Sequence, residues 1–62
     1  MDVITIKIKI KNEDLEFDEK ADLIKSHLKS LIDRLEETNG NVQQLKGKDA
    51  DSTIEYVHLK NN

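Results

Sequence analysis

The chain has 62 residues, no cysteine, no proline, two histidines and a formal net charge of −3. A single domain of this size buries only about 60% of the surface its unfolded chain exposes. Without cysteine it has neither disulfides nor thiolate metal sites to compensate, so regular packing or self-association must supply the missing stability.

No basic, apolar leader opens the sequence, and no run of about 18 apolar residues could span a membrane. The expected location is the cytoplasm, since no cysteine points to an oxidising compartment. Abundant lysine, isoleucine and asparagine suggest an A/T-rich coding sequence, such as a low-GC bacterium or its phage carries.

Charge is unevenly spread. Residues 1–11 sum to +2, residues 12–22 to −5, and residues 23–62 balance.

Val3 to Lys11 alternates almost perfectly, with Ile4, Ile6, Ile8 and Ile10 on one face and Thr5, Lys7, Lys9 and Lys11 among the residues of the other. Period two is the mark of a half-buried strand, predicted over 3–11. A turn at Asn12-Glu13 would bring 14–17 back as a short second strand. Lys11 would then face Asp14, Lys9 Glu16 and Lys7 Asp18, with Phe17 against Ile8 on the inner face.

A helix is predicted over 19–38. Asp18 is the expected N-cap, with Glu19 and Asp22 near the positive end of the helix dipole. Ala21, Ile24, Leu28, Leu31, Ile32 and Leu35 fall within about 100° of one another, the width of a core-facing stripe. Leu23 points away from it. Asn39-Gly40 supplies the left-handed residue that ends such a helix.

Strands are expected at 42–45 and 53–59, joined by polar turn residues. The last strand has two apolar pairs on opposite faces, Ile54/Tyr56 and Val57/Leu59, which suits a central or interfacial position. The predicted fold is α+β: one helix on a three- or four-stranded antiparallel or mixed sheet, in the order β-β-α-β-β. That order is similar to the β-grasp arrangement in topology alone, with no family motif. If 14–17 is loop, the order becomes β-α-β-β.

Chemical motifs are weak. Asp49-Ala50-Asp51-Ser52-Thr53-Ile54-Glu55 imitates the start of a calcium loop, but Ile54 and Lys60 stand where glycine and a bidentate glutamate are required. Ser26-His27 suggests a nucleophile, yet adjacent helical side chains diverge by about 100°. Asp33 is not on the same face. His27 and His58 lack metal-ligand spacing. Gly40 and Gly47 form no phosphate-cradling loop. No catalytic residue, metal or cofactor is expected.

Two binding surfaces compete. Acidic residues Glu13, Asp14, Glu16, Asp18, Glu19 and Asp22, extended by Glu36 and Glu37, would form an anionic surface for a basic protein partner, such as the DNA groove of a nucleic-acid enzyme. The alternative is a nucleic-acid-binding accessory protein using Lys7, Lys9 and Lys11. Net negative charge, the acids expected opposite these lysines and only two aromatics count against it. The expected role is a non-enzymatic regulator or inhibitor. Homodimerisation through the alternating strand or through Leu23 would enlarge a small core.

Overall fold

The structure, a computed structural model, describes residues 1–60. Its elements are β1 (Asp2–Ile10), α1 (Phe17–Glu37), β2 (Gln44–Lys48) and β3 (Ser52–Lys60). They form an α+β domain in which the helix accompanies a three-stranded antiparallel sheet of order β1-β3-β2. The order along the chain is β-α-β-β, so the four-stranded β-β-α-β-β arrangement is corrected.

The missing strand has a physical cause. β1 pairs with β3 over nine residues, Ile8 opposite Ile54, Ile6 opposite Tyr56 and Lys7 opposite Glu55. That ladder uses one edge of β1 and leaves the other open, so the short arm is lost to local turn and cap geometry and not to β3. The acidic segment instead turns. Asn12 Oδ1 accepts a hydrogen bond from the Asp14 amide at 3.1 Å, the local closure that makes asparagine a turn residue.

The helix then starts two residues before the predicted first residue, and its N-cap is Glu16 rather than Asp18. Glu16 has extended backbone, and its carbonyl accepts the first helical hydrogen bond from Lys20. Glu19 Oε1 reaches back to the Glu16 amide at 3.2 Å, satisfying one of the donors a helix start leaves free. At the other end Gly40 N donates to Leu35 O at 2.9 Å and Asn39 N to Glu36 O at 3.2 Å. This is a Schellman closure, with both Asn39 and Gly40 at positive φ.

β3 holds the centre, and its even residues face the helix. Ile54 and Tyr56 are buried with Leu31 of α1, and Ile8, Leu35 and Leu45 pack around them. Val57 lies on the opposite face beside Leu59, which stays exposed. β2 begins two residues later than predicted and ends at Lys48. Its Gly47 lies opposite Ile54, where a Cβ would come within 2.9 Å of Ile54 Cγ2. A glycine inside a strand fits such a close approach.

The helical stripe is only partly covered. Leu31 is 6% exposed, but Ile32, on the stripe's other edge, is 53% exposed. Leu23, expected to point outward, is half-buried.

Candidate functional site

The loop after β1 and the first turns of α1 gather Glu13, Asp14, Glu16, Asp18, Glu19 and Asp22, all exposed. The expected cross-strand pairing of Lys7, Lys9 and Lys11 with these acids does not form. Lys7 and Lys9 are held in the ladder opposite Glu55 and Thr53, and the Lys11 amide bonds Asp51 O. Phe17 stands among these carboxylates at 84% exposure. The sequence pattern puts it in the core against Ile8, and the loss of the second strand removes it from there. As the first helical residue it follows the Glu16 cap, and no strand directs it inward.

Glu36 and Glu37 lie at the far end of α1, about 25 Å away along the axis at 1.5 Å per residue. They do not extend the first cluster. Glu37 sits 3.9 Å from Arg34 in an exposed i,i+3 pair.

The face of the sheet turned from the helix carries a second charged group. Across the strands, Lys7, Glu55 and Lys46 make one row, and Lys9, Thr53 and Lys48 the next. Lys46 Nζ is 3.7 Å from Glu55 Oε1. Four lysines thus share this face with Glu55. Lys46 and Lys48 were not among the basic residues expected here, although the alternation Gln44-Leu45-Lys46-Gly47-Lys48 carries the signal. Neither aromatic side chain joins them: Tyr56 is buried on the other face and Phe17 is at the acidic end.

A third polar group ties helix to sheet. His27 Nε2 lies 2.6 Å from Ser52 Oγ, and Ser52 is fully buried at the start of β3. The partner of His27 is therefore Ser52, not the adjacent Ser26. An oxygen with no exposure is poorly suited to attack an external substrate, whereas a buried hydroxyl needs a hydrogen-bond partner.

His58 sits six residues along the same strand from Ser52, about 20 Å at 3.3 Å per residue. Its Nε2 is 3.3 Å from Asp2 Oδ2 but lacks an aligned hydrogen bond, and its ring meets Tyr56 edge-on at a centroid distance of 6.5 Å. The two histidines are thus too far apart to share an ion.

Asp49 and Asp51 shape the β2–β3 turn, with the Asp49 amide bonded to Ser52 O, while Thr53 and Glu55 continue into the strand. Among the described residues, no three His, Asp or Glu side chains gather as a metal-binding group. No helix of the described residues is long and apolar enough to cross a membrane.

Comparison with family models, with curated proteins and with solved structures found no match to this chain.

Proposed function

We propose that the chain is a non-enzymatic protein-binding module, a regulator or inhibitor that docks on a basic partner surface through residues 13–22. Exposed Phe17 among six carboxylates carries this reading. An apolar anchor with a charged rim is the usual composition of an energetically dominant contact. Transferring a phenylalanine side chain out of water is worth roughly 1.5–3 kcal/mol, which a partner pocket can recover. The carboxylates speed encounter with a basic groove and imitate a phosphate track. A nucleic-acid enzyme is the proposed partner class, and a phage or other mobile element the proposed source.

The test must spare the cap. Glu16 and Glu19 hold the helix start, so reversing their charge would confuse binding with folding. Phe17→Ala and the triple reversal Glu13→Lys/Asp14→Lys/Asp22→Lys leave that bond in place. Ligands selected from a random peptide display library on the wild-type chain are expected to be rich in lysine and arginine. Phe17→Ala should weaken them at least about tenfold, a change of ~1.4 kcal/mol. Its unfolding free energy should move by less than about 0.5 kcal/mol, as for an exposed position. Ligands that bind Phe17→Ala and the triple variant as tightly as wild type would refute the proposal.

A second reading, a nucleic-acid-binding accessory protein, gains support from one observation: Lys46 and Lys48 join Lys7 and Lys9 on one sheet face. If four lysines each engage a phosphate, affinity for a single-stranded oligonucleotide should fall with a log–log salt slope of about −3. Lys46→Glu/Lys48→Glu should flatten that slope. Fluorescence anisotropy with labelled oligonucleotides over a salt series measures it, and no binding at low salt would eliminate this reading.

A further inference from the structure

The molecule exposes more surface than its mass calls for. A folded monomer of this mass has about 4,100 Å² of accessible surface, whereas the chain has 5032 Å². Its radius of gyration is 12.9 Å, against about 10.6 Å for a compact domain of this length. The excess of about 900 Å² is close to the ~800 Å² that each partner contributes to a standard interface.

Much of the uncovered apolar surface lies together. Ile4 and Ile6 point to the helix side of the sheet, yet they are 55% and 44% exposed. Ser26, Ser30 and Arg34 line the cleft between α1 and β2. With β2 and β1 on opposite edges, the other flank of α1, bearing exposed Ile24 and Ile32, lies toward β1.

We infer that β1 pairs antiparallel with β1 of a second copy of this chain, across a two-fold axis through Ile6. The backbone supports this edge. Lys11 N donates to Asp51 O at 2.7 Å, continuing the register that pairs Ile10 with Ser52. Hydrogen-bonded and non-hydrogen-bonded pairs alternate in an antiparallel ladder. Odd residues of β1 therefore direct their amides and carbonyls to β3, and Ile4, Ile6, Ile8 and Ile10 direct theirs to the open edge.

Overlap and side-chain chemistry select the register: Ile6 is the midpoint of β1, so only an axis there pairs all nine of its residues. An axis between residues would set the lysine face against the isoleucine face. An axis through Lys7 would put like charges directly opposite, which is destabilising. The axis through Ile6 puts Ile4 opposite the partner's Ile8, Lys7 opposite the partner's Thr5 and Lys9 opposite the partner's Val3. The result is a six-stranded sheet of order β2-β3-β1-β1-β3-β2, with the helical flanks of Ile24 and Ile32 facing each other over Ile4 and Ile6. The other open edge, β2, has only five residues against nine in β1, and a very short edge strand resists strand addition. The pairing is independent of the acidic end and of what binds there.

Sedimentation equilibrium of the full chain over a concentration series tests the proposal. The expected mass is twice the 7.2 kDa of one chain, and Ile4→Lys should raise the dimer dissociation constant at least tenfold. Because the chain has no cysteine, Ile6→Cys introduces a single thiol. Its Cα and that of the partner would stand about 5.5 Å apart, within disulfide reach. Mild oxidation is expected to yield a covalent dimer from Ile6→Cys and not from Lys46→Cys. The mass of one chain at every concentration would overturn the inference, as would Lys46→Cys cross-linking as readily as Ile6→Cys. Far-UV circular dichroism of each variant checks that the comparison is between folded proteins, and the wild-type mass needs no variant.

Discussion

Leu31→Ala is expected to remove about 2–5 kcal/mol of stability at 25 °C, a large share of what the fold has. Leu31 is the helix's most buried apolar side chain and meets Ile54 and Tyr56 in the centre of the core. Removing a buried leucine costs about 2–5 kcal/mol, the upper values where surrounding groups cannot collapse into the cavity. A chain of this length has a total stability of roughly 3–9 kcal/mol. Three buried apolar residues cannot redistribute that loss as a large core can. Urea unfolding followed by circular dichroism measures it directly. A loss below about 1 kcal/mol would mean that Leu31 does not anchor the helix to the sheet.

The second large effect is expected at Ser52. Its hydroxyl is fully buried and shares a hydrogen bond with the ring of His27, 25 residues away in sequence. Ser52→Ala leaves the partly buried imidazole nitrogen without that partner, and an unsatisfied buried group costs about 1–3 kcal/mol. The double variant His27→Leu/Ser52→Ala removes both halves and should recover much of that loss, since replacing both partners by apolar groups is nearly neutral. The cycle separates a structural tie from two unrelated packing losses. If the double variant loses as much as the two single variants added together, no coupling exists between these residues.

The effect at Ser52 also illustrates what a linear reading misses. Ser26-His27 draws attention because the residues are neighbours in the chain, yet helical geometry separates them. Ser52 looks like ordinary turn material until β3 takes the centre of the sheet. Similarly, Lys7 and Lys9 look destined for nearby acids, and Lys46 and Lys48 for a turn. The ladder instead assembles these four lysines on one face. Glu36 and Glu37 look like part of one acidic surface only while the helix between the clusters is ignored.

Local order was legible where neighbours in sequence decide it. The alternating isoleucines determine that residues 3–10 are a strand with one apolar face, because period two is a property of consecutive residues. The stripe from Ala21 to Leu35 and the Asn39-Gly40 closure likewise determine a helix and its end. Only the tertiary structure decided which strand β1 pairs with. Its ladder runs to β3, while residues 12–16 are taken up by a turn and a helix cap and add no strand to its other edge. That arrangement released Phe17 from the core, left the acids without the lysines expected opposite them, and made β1 an open edge. Each consequence depends on which segments meet across the fold, which the periodicity of any one segment does not contain.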